Sequence, residues 1–214
     1  MSYTEPHWHH SVLITIDTQN DFTLPGAPAE IPGTMDVIPA MVELLEAYRA
    51  QGLPIVHVVR LYEENGSNVD LCRRALIENG ARVAAPESPG AQLVAELLPA
   101  GAGPMQSAAL LRGELQPAGD REWIVYKPRW GAFYETGLDA FLRELNVDTV
   151  VFIGCNFPNC PRTSIYEASE RDYRAVMVKD AMSQVYEKGI QELSAIGVNV
   201  LAKDEVLAIL NDLN

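Results

Sequence analysis

The 214-residue sequence has only three cysteines, no run of basic residues and no long apolar stretch. Three cysteines at irregular spacing do not make the disulfide framework of a small secreted domain. No apolar segment approaches the roughly 20 residues that cross a bilayer, and the N-terminus lacks the basic-then-apolar order of a signal peptide. We therefore expect a cytoplasmic protein with reduced thiols and no membrane partner.

The shortage of positive charge excludes further partners. The chain has 16 Lys and Arg against 29 Asp and Glu, a formal net charge of −13. Such a balance without a basic cluster is unsuited to binding nucleic acid or an anionic membrane surface. The length suits one domain with a substantial core, and the 48% apolar content is typical of globular chains. We expect a single domain over residues 1–214, with a short N-terminal tail at residues 1–10.

Short β-branched apolar runs alternate along the chain with amphipathic segments of helical period. The runs predict six strands, at residues 12–17, 54–60, 123–127, 149–153, 175–179 and 198–202. The amphipathic segments predict helices at residues 36–50, 137–145, 161–170, 187–196 and 204–213. This alternation indicates an α/β fold: a three-layer, doubly wound, mostly parallel six-stranded sheet with helices on both faces.

The central excursion, residues 61–121, breaks this rhythm. It is rich in glycine and proline and contains only short helical pieces, at residues 71–79 and 91–98. Long irregular segments are uncommon in compact domains unless they have a function. The excursion either covers a site or builds a subunit contact, or it is a variable surface insertion.

The most informative stretch is the turn at residues 153–162, between a predicted strand and a helix that begins at Cys160. Pro161 supports this boundary, because proline suits the first helical position. Amide groups at a helix N-terminus stabilise negative charge, so the turn predicts a lowered thiol pKa and a nucleophile. The alternative is that Cys160 is a small buried apolar residue. The turn alone leaves both interpretations open.

Two further polar residues directly follow predicted strands. Asp17 ends the first strand and Lys127 the third, while Cys160 follows the fourth. In a doubly wound parallel sheet, ligand sites lie beyond the carboxyl ends of the strands. An acid can accept the proton of a thiol, and a nearby lysine favours the thiolate. Asp17 alone is explained as a turn former and Lys127 as a solvated strand end, but the three together predict a catalytic site.

These motifs resemble those of the isochorismatase-like cysteine hydrolases, a family that includes nicotinamidase, N-carbamoylsarcosine amidase and ureidoacrylate amidohydrolase. The resemblance runs from residue 12 to about residue 201. It rests on Asp-x-Gln-Asn-Asp-Phe at residues 17–22, Lys-Pro-Arg-Trp-Gly-Ala-Phe at residues 127–133, and Gly154 six residues before Cys160. It implies the isochorismatase-like hydrolase fold and a homo-oligomer, either a dimer or a tetramer.

The resemblance also implies a mechanism with Asp17, Lys127 and Cys160 as the catalytic triad. Cys160 would attack a carbonyl, Asp17 would pass the thiol proton to the leaving amine, and Lys127 would hold the pair in register. A cis peptide between Cys155 and Asn156 would direct the Asn156 amide to join that of Cys160 in an oxyanion hole. We expect an amidohydrolase that cleaves a small amide, ureido or carbamoyl compound through an acyl-thioester.

One departure from the family concerns metal binding. Nicotinamidases carry an Asp-x-His pattern after the second strand, but here that region, residues 57–62, has His57 without a neighbouring carboxylate. A single histidine is a poor metal site. We expect a structural role for His57, no metal and no cofactor.

The substrate pocket is predicted less sharply. Arginine offers a two-pronged fit to a carboxylate, and tryptophan an apolar wall, although each residue is equally explained as a surface contact. The candidate substrate-binding residues are Phe22, Arg60, Tyr62, Asn68, Trp130, Phe133, Asn159 and Arg162. Two alternative functions stay open: an isochorismatase-type vinyl ether hydrolase, which gives the thiol no role, and a non-catalytic binding or assembly protein.

Overall fold

The computed structural model describes residues 3–213, which form one sheet between two layers of helices. The strands are β1 (Ser11–Ile16), β2 (Ile55–Val59), β3 (Gln116–Gly119), β4 (Glu122–Tyr126), β5 (Thr149–Gly154), β6 (Arg174–Met182) and β7 (Asn199–Leu201). The helices are α1 (Asn20–Thr23), α2 (Thr34–Ala50), α3 (Leu71–Glu78), α4 (Ser107–Leu111), α5 (Leu138–Glu144), α6 (Cys160–Ser169), α7 (Glu187–Ala195) and α8 (Lys203–Asn211). Within this part of the chain, no helix has the length and apolar character needed to cross a membrane.

The strand order confirms the predicted doubly wound α/β fold. The sheet runs β3-β4-β2-β1-β5-β6-β7, and all neighbours are parallel except the antiparallel pair β3 and β4. The predicted count of six strands is wrong, because the described sheet has seven. The additional strand, β3, has the sequence Gln-Pro-Ala-Gly and lacks the β-branched residues that indicate the other strands. Its Pro117 cannot donate to a ladder, which suits an edge strand.

The alternation of side chains along β1 explains the three layers. Val12, Ile14 and Ile16 point to one face of the sheet, where they pack with apolar residues of α5, α6 and α7. Leu13 points to the other face, which is covered by α2 and α8. Because successive strand residues face opposite sides, a strand that is apolar throughout must be covered on both faces. The sheet is thus the central layer, and polar residues follow at the ends of its strands.

The segment after β1 fixes the central excursion beside the carboxyl end of that strand. The Gln19 side chain donates to the carbonyls of Arg60 and Ala91, both at 2.7 Å. The Asp21 carboxylate accepts the N–H of Ala84 at 2.7 Å. The polar residues of the Asp-x-Gln-Asn-Asp-Phe segment therefore serve partly to hold the excursion in place.

Candidate active site

Asp17 and Lys127 meet at the carboxyl ends of β1 and β4. The Lys127 ammonium donates to Oδ2 of Asp17 at 3.0 Å and to the carbonyl of Arg129 at 3.2 Å. Lys127 is 0% exposed and Asp17 4% exposed. The other carboxylate oxygen, Oδ1, is buried and has no hydrogen-bond partner among the described residues. Asp17 therefore has one oxygen fixed by an ammonium and one available to take a proton.

The charge of Lys127 is maintained although the residue is fully buried. Burial lowers the pKa of Lys127, but the Asp17 carboxylate and the Cys160 thiol group raise it, and the net direction is upward. An opposite charge within a few ångströms favours the charged form of a group. The lysine is therefore a permanent cation that holds Asp17.

Cys160 is the first residue of α6 and is followed by Pro161, as predicted. Burial raises the pKa of the Cys160 thiol, the Asp17 carboxylate raises it further, and Lys127 lowers it in part, which leaves it at about 12. The prediction of a lowered thiol pKa is therefore wrong. Desolvation and a neighbouring negative charge outweigh the helix N-terminus, and the thiol is neutral near pH 7. An attack of such a thiol on a carbonyl would require a base that removes the proton.

The turn before α6 is anchored to β1. The peptide bond between Cys155 and Asn156 is cis. The Cys155 thiol donates to the backbone carbonyl of Asp17, with Sγ and O 2.9 Å apart, and the Cys155 N–H donates to Ile16, also at 2.9 Å. The turn before Cys160 and the end of β1 that carries Asp17 are therefore held together by two short contacts.

Gly154 is required at the start of this turn for two reasons. Its φ of +126° lies in a region that L side chains rarely adopt. A Cβ at this position would lie 2.4 Å from the backbone oxygen of Ile16. The glycine six residues before the cysteine is thus explained by the close approach of β5 to β1.

The loop after β4 is hydrogen-bonded to α6. The Ser164 hydroxyl donates to the Cys160 carbonyl at 2.7 Å and accepts the N–H of Ala132 at 3.0 Å. The Glu167 carboxylate accepts the N–H of Phe133 at 2.9 Å. These bonds fix the Lys-Pro-Arg-Trp-Gly-Ala-Phe segment against α6, so that the lysine and the thiol belong to one rigid unit.

A small cavity opens onto the thiol. Its accessible volume is only about 10 Å³, room for about one water molecule. It brings together five of the predicted substrate-binding residues with Asp17, Cys160 and Asn156. Those five are Phe22, Arg60, Tyr62, Trp130 and Asn159.

The other three predicted substrate-binding residues lie outside this cavity. The Asn68 side chain donates to the Leu61 carbonyl and the Tyr126 hydroxyl, so it braces the excursion. Phe133 is buried with its ring 5.7 Å from that of Tyr173. Both are committed to packing or backbone contacts that the sequence does not reveal.

Arg162 is outside the cavity because of the helical period. It follows Cys160 by two residues on α6, which turns it about 200° away from the thiol. Its guanidinium contacts Glu192 and the hydroxyls of Tyr166 and Tyr186. The residue is part of a surface ion pair between α6 and α7.

Three cavity residues were not predicted as site residues from the sequence: Ile31, Arg73 and Cys155. Arg73 lies on α3 in the central excursion and donates to the Tyr62 hydroxyl at 3.2 Å. The only signal in the sequence is the adjacent pair of arginines, Arg73 and Arg74, in an acidic chain. The path of the excursion, which brings α3 to the cavity, cannot be derived from that pair.

His57 has a carboxylate partner, contrary to what the sequence around it suggests. Its Nδ1 lies 2.8 Å from Oγ1 of Thr15, and its Nε2 lies 2.7 Å from Oε1 of Glu122. Arg49 donates to both oxygens of the same carboxylate. The pairing of β2 with β4 creates this contact between residues 65 positions apart. Since both ring nitrogens are bonded inside the protein, His57 is structural.

Comparisons with known proteins identify the family of the chain. The model of the isochorismatase domain matches residues 11–205, and the chain belongs to the isochorismatase family. It is similar to the crystal structure of an isochorismatase family protein from Desulfovibrio vulgaris, with 33% identity and a TM-score of 0.80 over 94% of this chain and 98% of that chain.

Two relatives with names point in different directions. A probable inactive nicotinamidase from Arabidopsis thaliana is 26% identical over 89% of this chain and 91% of its own length. An N-carbamoylsarcosine amidase from Arthrobacter sp is 26% identical over 79% of this chain, which spans 58% of the length of that relative. Membership of the family thus does not decide by itself whether a given member is active.

Proposed function

We propose that the protein is a cysteine amidohydrolase that cleaves a small amide, ureido or carbamoyl compound. The observation that carries the proposal is the meeting of Asp17, Lys127 and Cys160 from three separate parts of the chain. Of these, Asp17 and Cys160 line the same small cavity, and Lys127 holds Asp17 from behind. A buried acid with an unpartnered oxygen beside a neutral thiol is suited to proton transfer during nucleophilic attack.

In the first half of the reaction, Sγ of Cys160 forms a bond to the substrate carbonyl carbon. Asp17 takes the thiol proton as the bond forms, because a thiol with a pKa of about 12 does not ionise beforehand. The proton then moves from Asp17 to the leaving nitrogen, the C–N bond breaks, and an acyl-thioester is left on Cys160. Lys127 keeps the carboxylate oriented throughout.

The backbone of the turn serves the oxyanion. The N–H groups of Asn156 and Cys160 stabilise the charge that develops on the carbonyl oxygen; a donor of this kind is typically worth about 10²–10³-fold in rate. In the second half, Asp17 takes a proton from water, and the hydroxide attacks the thioester. The carboxylic acid product leaves, and the proton held by Asp17 passes to Sγ of Cys160, which restores both residues.

The test is ammonia release from a panel of small amides, ureido acids and carbamoyl amino acids. We expect turnover by the unmodified protein and a loss of at least roughly 10³-fold in Cys160→Ala, since the nucleophile is removed. Cys72→Ala is the matched control, because Cys72 is an exposed free cysteine on α3. It should keep the original rate.

The alternatives predict different results. A vinyl ether hydrolase of the isochorismatase type would keep its activity in Cys160→Ala, as the thiol has no role in that reaction. A non-catalytic member, which the name of the Arabidopsis relative makes a real alternative, would release no ammonia from any compound at any enzyme concentration. Full activity of Cys160→Ala on an amide would overturn the proposed mechanism.

A further inference from the structure

The ionised groups around the cavity do not cancel. Asp17 pairs with Lys127 at 3.0 Å, and Arg60 pairs with Asp70 at 3.1 Å. Arg73 is the fifth charged group, and it has no carboxylate within ion-pair distance among the described residues. The site therefore carries a surplus positive charge, although the chain as a whole has a net charge of −13.

The two arginines that line the cavity differ in what their donors do. Arg60 is 1% exposed and donates to the Lys127 carbonyl at 2.6 Å as well as to Asp70. Its two terminal nitrogens are occupied in joining β2, β4 and the excursion, while its buried Nε has no hydrogen-bond partner among the described residues. Arg60 is therefore a structural cation whose charge is neutralised.

Arg73 has capacity left for a ligand. It donates one bond, to the Tyr62 hydroxyl, out of the five that a guanidinium offers. Its guanidinium carbon lies 5.8 Å from the centroid of the Phe22 ring and 5.9 Å from that of Tyr62. These rings hold the cation at the cavity without using its N–H groups.

Arg73 is also electrostatically close to the reacting groups. Burial lowers the pKa of Arg73, whereas Tyr62, Cys160 and Asp17 raise it. Arg73, Asp17 and Cys160 also line the same cavity, so one small molecule there can contact both the thiol and the arginine. The cavity itself, with an accessible volume of about 10 Å³, must widen by movement of its lining side chains to admit such a molecule.

We propose that Arg73 is the specificity-determining residue of the site and binds a carboxylate on the substrate. The substrate class is then a small monoamide or ureido acid with one carboxylate and one scissile C–N bond. The short linker between these groups lies against the apolar walls of the cavity, Phe22 and Ile31. This inference rests on the proposed function, because the ligand is a substrate only if the protein is an amidohydrolase. The binding of an anion at Arg73 does not depend on hydrolysis.

The first experiment measures the anion site without turnover. Iodoacetate and iodoacetamide alkylate the same thiol, but only iodoacetate is charged. The ratio of the iodoacetate rate to the iodoacetamide rate at Cys160, followed by mass spectrometry at one pH, therefore reports the local electrostatic potential. We expect the ratio to fall roughly tenfold in Arg73→Gln, because the cation that attracts the anionic reagent is lost. An unchanged ratio would overturn the proposal.

The neighbouring arginine provides a matched control. Arg74→Gln removes the same charge from the same helix, but Arg74 does not line the cavity. Its ratio should stay close to that of the unmodified protein. Arg73→Lys keeps the charge without the planar fork and should retain most of the ratio. A fall of equal size in Arg73→Gln and Arg74→Gln would show a general charge effect and contradict the assignment.

The second experiment uses hydrolysis of two matched compounds, succinamate and its neutral diamide succinamide. We expect kcat/KM to favour succinamate by roughly 10- to 100-fold and Arg73→Gln to remove this preference, mainly through KM. If amides are hydrolysed with no such preference, the anion site is wrong and the amidohydrolase stands. If the alkylation ratio depends on Arg73 but no amide is hydrolysed, the anion site stands and the proposed function fails.

Discussion

Two buried carboxylates lie at opposite edges of the sheet, Glu122 at the start of β4 and Asp17 at the carboxyl end of β1, and their surroundings differ. Glu122, the first residue of β4, is 1% exposed, and both of its oxygens are bonded, by Arg49 and His57. Burial raises the pKa of Glu122, but the bonds to Arg49 and His57 lower it to about 2. At the other edge, Asp17 pairs with Lys127 by one oxygen only.

The difference separates structure from function. A buried carboxylate with all its hydrogen bonds made fixes the elements around it, and has no capacity to exchange protons near neutral pH. A buried carboxylate with one unpartnered oxygen is costly to fold and is retained where it has a task. Asp17 also has a φ of +53°, uncommon for a residue other than glycine. Both features distinguish Asp17 at the carboxyl end of the sheet from the fully paired Glu122.

The largest effect is expected from Asp17→Asn. Loss of the base should lower kcat per folded molecule by roughly 10²–10⁴-fold, since the amide cannot accept the thiol proton. The measurement is ammonia release, with the folded fraction determined by circular dichroism. If total activity falls only as much as the folded fraction does, Asp17 has a purely structural role like that of Glu122. The contrast between the two carboxylates would then be wrong.

The second prediction concerns the thiol. Because the pKa of Cys160 is about 12, the thiolate fraction and the iodoacetamide alkylation rate should rise about tenfold per pH unit from pH 7 to pH 10. Asp17→Asn removes one of the groups that raise this pKa, and should speed alkylation at pH 8 while it slows hydrolysis. A rate that levels off below pH 9 would indicate a thiolate in the free protein.

The third prediction addresses the satisfied carboxylate. Glu122→Gln leaves the Arg49 charge without its partner, and breaking a buried ion pair typically costs about 3–5 kcal/mol of unfolding free energy. Urea denaturation measures the loss. The rate per folded molecule should stay within about twofold of the original, since the residue is remote from the thiol. A large fall in that rate would mean that the two edges of the sheet are coupled.

The sequence was sufficient for the parts of the fold that depend on local pattern. The alternation of apolar runs predicted six of the seven strands, and the ends of those strands pointed to Asp17, Lys127 and Cys160. It missed β3, whose Pro117 carries no strand signal, and the contact of His57 with Glu122, which depends on the pairing of β2 with β4. Contacts created by register or by the path of an irregular segment, such as that of Arg73, have no local signature.

Acidification is expected to have a smaller effect, on the free energy of unfolding. The pKa of Glu122 is lowered from its usual 4.5 to about 2 on folding, so the folded state holds fewer protons. The stabilisation, about 3 kcal/mol, is fully present above pH 4.5 and is lost as the pH falls toward 2. The difference in unfolding free energy between the unmodified protein and Glu122→Gln should shrink over this range. A constant difference would show that Glu122 does not account for it.

The most direct measurement of the central claim, that an acyl group is transferred to Cys160, is partitioning with hydroxylamine. Two substrates that share an acyl group but differ in the leaving amine are hydrolysed in the presence of hydroxylamine, and the ratio of hydroxamate to acid is determined for each. An acyl-thioester common to both predicts the same ratio, whichever step limits the rate. Different ratios for the two substrates, or no hydroxamate from either, would contradict the account.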